Sequence, residues 1–125
     1  MSRVVNLFVD APENLADFVS DLQSLFGVKF DQISKGGELW YEFQNAYLNI
    51  TIAYHEYEND GELKFENYLY EISFREKYVD EKSNLYTIST ETALNYFDRL
   101  LLERHYKIML VDDLQKKIKE FPLSH

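Results

Sequence analysis

The side chains in this chain that could do chemistry are mostly carboxylates and aromatic rings, and they coincide. Glu38 to Glu76 holds nine acids (Glu38, Glu42, Glu56, Glu58, Asp60, Glu62, Glu66, Glu71, Glu76) against two bases, Lys64 and Arg75, a net of -7. Trp40, Tyr41, Tyr47, Tyr54, Tyr57, Tyr68 and Tyr70 are interleaved with them. Tyr and Trp supply contact area at protein interfaces. Carboxylates around them steer a basic partner in and raise its association rate. The competing structural account is a solvated sheet edge, where the rings pack inward and the acids prevent strand-to-strand aggregation.

Catalytic chemistry finds no comparable support. None of the serines sits in a Gly-x-Ser-x-Gly elbow. His55 and Glu56 are neighbours on a predicted strand, so they point to opposite faces and make a poor acid–base pair. His105 ends a predicted helix, where partial positive charge suits the dipole, and His125 is the last residue. Glu56-x-Glu58-x-Asp60-Gly61 echoes the start of an EF-hand loop, but position 12 is Asn67 rather than the required Glu. Gly36-Gly37 stands alone, without a phosphate-binding motif. Paired acids are too numerous for any two to be singled out as a glycosidase pair. The expectation is therefore no catalytic residue, no metal and no cofactor.

Composition narrows the partner. The 125 residues suit one domain spanning 1–125, with 46% apolar residues and no cysteine. The lack of cysteine excludes disulfides and thiolate metal sites. No signal-peptide core or bilayer-length apolar run occurs, so a cytoplasmic protein is expected. The net charge is -9: residues 1–63 carry 11 acids and 3 bases (-8), and residues 64–125 carry 11 and 10 (-1). Such a chain is repelled by phosphate backbones and anionic membranes. A basic protein is the better partner, although acidity also serves solubility.

The elements that must position these side chains follow from periodicity. Val4 to Val9 reads as a central strand. Asp10 or Ala11 caps a helix with Pro12 in its first turn, and Leu15, Phe18, Val19, Leu22, Leu25 and Phe26 form one stripe. Gly27 stops it. Lys29–Ile33 and Glu38–Gln44 are strands; in the second, Leu39, Tyr41 and Phe43 oppose Glu38, Trp40, Glu42 and Gln44. Ala46–Tyr57 continues with Ala46, Leu48, Ile50, Ile52 and Tyr54 inward. Asp60-Gly61 marks a hairpin, and its return strand reaches about Arg75 with Tyr68, Tyr70, Ile72 and Phe74 inward. Residues 85–88 form a short extended piece. Ser89 or Thr90 caps a second helix to His105 with Leu94, Phe97, Leu101 and Leu102 buried. Lys107–Val111 is a strand. Asp112 or Asp113 caps a terminal helix with Leu114, Ile118 and Phe121 on one side. The class is α+β, in the order β-α-β-β-β-β-α-β-α: a mostly antiparallel meander with helices on one face. Its other face would expose Trp40, Glu42, Tyr47, Thr51, His55 and Tyr57.

In size, charge, element order and the segments Glu56-Tyr57-Glu58-Asn59-Asp60-Gly61-Glu62 and Tyr68-Leu69-Tyr70-Glu71-Ile72-Ser73-Phe74, the chain resembles bacterial toxin-immunity proteins of the contact-dependent-inhibition and polymorphic-toxin type. The resemblance is one of type and carries no diagnostic motif. It implies stoichiometric blockade of a basic toxin domain, such as a nuclease. Glu42, Glu56, Glu58, Asp60 and Glu62 would fill the basic cleft, and Trp40, Tyr47 and Tyr57 would supply contact area. The alternatives are a small-ligand or regulatory domain with a pocket between helix and sheet, a DNA-mimic inhibitor, and self-pairing of the exposed face as a homodimer.

Overall fold

Val4–Asp10 (β1) is the strand on which the sheet is built, and its five interior residues are all buried. The computed structural model describes residues 4–77 and 88–122. From β1 the chain enters helix α1 (Leu15–Phe26), then strands β2 (Asp31–Lys35), β3 (Glu38–Gln44), β4 (Leu48–Tyr54) and β5 (Tyr70–Glu76). Helix α2 (Ile88–Arg104) and strands β6 (Lys107–Asp112) and β7 (Lys116–Phe121) complete it. The strands form one sheet in the order β2-β3-β4-β5-β1-β6-β7, and every neighbouring pair is antiparallel. The α+β class, the antiparallel sheet and the element order through β6 are those read from the sequence.

Both helices share one face. Val5, Leu7 and Val9 of β1 meet Ile50 and Ile52 of β4, Tyr70, Ile72 and Phe74 of β5, and Ile108 and Leu110 of β6 in one core. Phe18, Val19 and Leu22 of α1 and Ala93, Phe97 and Leu100 of α2 close it from above. Burial of these side chains, each contributing roughly 1.5–3 kcal/mol, holds the layers together. No helix among the described residues is long and apolar enough to cross a membrane.

Several boundaries differ from the sequence-based expectation. The cap of α1 is Asn14, not Asp10 or Ala11: its Oδ1 accepts the Asp17 N–H at 2.9 Å. The chain before it is tied down elsewhere, because the Tyr70 hydroxyl donates to the Glu13 carbonyl and the Tyr106 hydroxyl to Glu13 Oε1 at 2.7 Å. Gly27, at φ 66, ends the helix as expected. Ser89 and Thr90 lie inside α2. Ser89 is fully buried, and its N–H and hydroxyl both donate to Oε1 of Glu76, at 3.2 and 2.9 Å. A carboxylate from β5 thus serves the helix start, where negative charge suits the dipole. The stripe that α2 buries is Ser89, Ala93, Tyr96, Phe97 and Leu100. Leu102 lies about 200° around the helix from Leu100 and is 73% exposed. The extended piece expected at residues 85–88 falls outside the described residues except for Ile88, which is helical.

The expected terminal helix is strand β7. Asp113 and Leu114 both take left-handed backbone (φ 51 and 58), and the Gln115 N–H bonds to the Asp112 carbonyl at 3.0 Å. That is a tight β-turn with two left-handed central residues, inside the 113–115 loop that joins Asp112 to its partner Lys116. Leu114, Ile118 and Phe121 have helical spacing, but so short a helix is unstable alone. Pairing with the otherwise open edge of β6 satisfies more backbone groups.

The largest difference lies between β4 and β5. The sequence implied long strands meeting at Asp60-Gly61. Instead β4 ends at Tyr54 and β5 begins at Tyr70. The connection folds back across the sheet and plants Leu63, Phe65 and Tyr68 against Phe8, Met109 and Val111, with Leu114 beside them. Tyr68 is therefore buried on the opposite face from Tyr70. The reason is compositional: the rear of β1 and β6 carries Phe8, Met109 and Val111, which need a cover, and the connection carries apolar groups to provide one. Phe65→Ala should cost about 3 kcal/mol. If that loss is confined to the connection, native-state amide exchange across residues 59–68 should rise about 100-fold while β1–β5 ladder amides keep their protection. Uniform acceleration throughout the sheet would show that the cover is not a separable unit.

Candidate functional site: an acidic aromatic groove behind the sheet

The rear of β3, β4 and β5 is polar, and among the described residues the connection does not close over it. Strand alternation puts Trp40, Glu42 and Gln44 of β3, Asn49, Thr51 and Ala53 of β4, and Glu71 and Ser73 of β5 on this face. Register aligns Glu42, Thr51, Ser73 and Asn6 in one row and Ala53, Glu71 and Phe8 in the next. Continuing the β3–β4 register by one step brings Trp40 across from Ala53. Phe8 marks the boundary: one side of it lies under the connection, and the other side begins the polar surface.

The connection forms the wall. Its first residues, His55, Glu56 and Tyr57, stand beside Phe8, whose ring centroid lies 5.0 Å from that of His55, 6.0 Å from Tyr57 and 4.8 Å from Phe65. His55 is the latch. Its Nδ1 accepts the Tyr57 N–H at 3.2 Å, so Nε2 must carry the proton that reaches the Tyr68 carbonyl at 2.6 Å. Both ring nitrogens are thereby engaged in one neutral tautomer, and the ring stacks on Tyr57 at 5.6 Å. Between this wall and Trp40 lies an open groove of about 870 Å³, lined also by Glu38, Thr51, Ala53, Tyr54 and Glu71. Among the described residues, no lysine or arginine lines it.

Glu71 is the carboxylate of the floor. Burial pushes its pKa above the ordinary value, and hydrogen bonds from Asn6 and Ser73 oppose that rise. The Asn6 Nδ2 donates to Glu71 Oε2 at 2.7 Å and to Ser73 Oγ at 3.1 Å. The Tyr57 hydroxyl is raised by its own burial and then by the charge of Glu71, which places wall and floor within electrostatic reach. Glu42 is organised separately, accepting from Gln44 Nε2 at 2.9 Å and Asn49 Nδ2 at 3.1 Å.

Of the residues singled out from sequence, Trp40, Glu56 and Tyr57 line the groove. Glu42 shares its face two residues along β3. Glu58 is exposed on the connection beyond Tyr57. Asp60 and Glu62 are carried away from the groove: Asp60 and Leu63 exchange backbone hydrogen bonds in a tight turn, which lies with Glu62 beside Lys116 and Lys117 of β7. Tyr47 precedes β4, at the far end of that strand from His55, roughly 25 Å away at ~3.3 Å per residue. Thr51 and His55, expected on the exposed face, are there. Glu38 and Glu71 were missing from the expected set. Parity was the available signal, since Glu38 shares its face with Trp40 two residues on and Glu71 opposes Tyr70 and Ile72. Among the described residues, no three His, Asp or Glu converge as metal ligands, and Glu56, Glu58 and Asp60 form no such group.

The raised Glu71 pKa sets a stability profile. Its folded-state value lies above 4.5, so the folded chain holds the proton more tightly, and the stability this confers is complete below pH 4.5 and lost as pH rises through the folded value. Glu71→Gln should therefore be more stable than the parent at pH 7, with the gap closing below pH 4.5 in urea titrations; a gap independent of pH would contradict this. Compared with known proteins, the chain matches no family model, no curated relative and no solved structure.

Proposed function

We propose that this chain is a non-catalytic binding protein that neutralises a basic protein partner by stoichiometric blockade, in the manner of a bacterial toxin-immunity protein acting in the cytoplasm. The observation that carries this proposal is the groove, where aromatic rings and three carboxylates, Glu38 and Glu71 of the sheet and Glu56 of the connection, line one opening with no lysine or arginine among its described lining residues. Such a surface attracts positive charge and offers Trp40 and Tyr57 as contact area. Glu42 and Glu58 extend the acidic rim. Asp60 and Glu62 lie beside lysines, so their contribution is smaller, and Tyr47 is too distant to join the same contact.

The rival assignments receive less support. The groove is open along its length and polar at its floor, unlike the enclosed apolar pockets favoured by small ligands. Its acids are concentrated near one end of the sheet instead of being spaced along an elongated body, as mimicry of a phosphate backbone would need. The catalytic option is weakened by His55, whose two ring nitrogens are both committed to holding the connection.

The decisive experiment starts with affinity capture from the source cells at low salt, followed by expression of the captured protein alone and together with this chain. Expression alone should arrest growth and co-expression should restore it. A harmless captured protein, or arrest that this chain does not relieve, would overturn the neutraliser assignment. Charge reversal at Glu56 and Glu58 should slow association at least tenfold at low salt and much less at high salt, because screening removes most of the steering. An association rate unchanged at low salt would count against an electrostatic encounter.

A further inference from the structure

The geometry points to an arginine side chain as the group this groove receives: its guanidinium would stack against Trp40 and Tyr57 and pair with the Glu71 carboxylate. This assignment rests on the proposal of a basic partner and names the chemistry at its centre. The walls are aromatic and the base is acidic, a combination that attracts organic cations through ring faces and charge together. A guanidinium is planar, weakly hydrated and rich in donors, so it suits an aromatic surface beside a carboxylate better than a compact, strongly hydrated ammonium does.

Among its described lining residues the groove holds no lysine or arginine, and Lys35 lies across from Glu38 in the β2–β3 register. Glu38, Glu56 and Glu71 form no ion pair with a base among the described residues. Beside the floor, Asn6 is only 3% exposed and donates to Glu71 Oε2 at 2.7 Å, which holds that carboxylate in place.

The chain has a single tryptophan, so the emission of Trp40 reports on the groove without labelling. Titration of the full chain with N-acetyl-arginine amide should give a saturable change in that emission, in the millimolar range typical of one charged group in an open site. N-acetyl-citrulline amide, isosteric but neutral, should give none. Glu71→Gln should weaken the arginine response at least fivefold, Tyr57→Ala comparably, and Glu91→Gln, on the exposed side of α2, not at all. Since Glu71→Gln is expected to fold more stably than the parent, loss of response in it cannot be ascribed to unfolding. An equal response to N-acetyl-lysine amide would overturn the choice of arginine. A labelled hepta-arginine peptide, followed by anisotropy, separates the two levels. Salt-sensitive peptide binding that leaves Trp40 emission and the Glu71→Gln affinity unchanged would overturn the groove assignment and leave the basic partner standing. Absence of peptide binding would overturn both.

Discussion

The structure depends on where one aromatic ring is covered. Phe8 projects from the rear of β1 and is fully buried, although both helices lie on the other side of the sheet. Its cover is the segment between β4 and β5, which brings Phe65, Tyr57 and His55 into ring contact with it. Without that landing, Phe8, Met109 and Val111 would face water, and the polar rear of β3, β4 and β5 would have no wall beside it. One hydrophobic requirement therefore closes half of the rear face and shapes the other half into a groove.

The division follows from the chemistry of the strands. β1 and β6 bury apolar side chains on both sides, with Phe8, Met109 and Val111 at the rear. β3, β4 and β5 alternate, with apolar side chains toward the helices and Glu42, Thr51, Asn49, Glu71 and Ser73 behind. Covering the second set would bury polar groups and carboxylates at a cost of several kcal/mol unless each found a partner. Covering the first set is favourable. The connection settles where burial is gained and stops where desolvation would be paid. Glu71 sits at that border, and its raised pKa reflects partial burial there.

The wall is built to hold its position. His55 bonds forward to the Tyr57 amide and across to the Tyr68 carbonyl, so it fastens both ends of the connection. Asn59 and Glu66 exchange side-chain and backbone hydrogen bonds at 3.0 Å within the same segment. Tyr68 is clamped behind them, its hydroxyl pushed up to about 12 by burial and then by the nearby charges of Glu120 and Asp10. A preorganised wall matters for recognition, because a partner then spends little of its binding energy on ordering it.

The sequence by itself determined the features that depend on short-range pattern: the α+β class, the sheet strands through β6, the stop of α1 at Gly27, and the face to which Trp40, Glu42 and Thr51 belong. Strand parity and helical spacing are local properties, so they are legible without coordinates. Only the tertiary structure decided which acids gather. Glu56 lines the groove while Asp60 and Glu62, a few residues on, are turned toward the lysines of β7, and Tyr47 is stranded at the opposite end of β4. It also decided that residues 116–121 pair as a strand instead of coiling as a helix, and that Glu76 rather than Ser89 or Thr90 serves the start of α2. These outcomes rest on contacts between residues far apart in the chain: an open strand edge in need of a partner, an apolar rear surface in need of a cover, a carboxylate meeting a helix end. Each is fixed by what remains unsatisfied after the local elements have formed, and that remainder has no short-range signature.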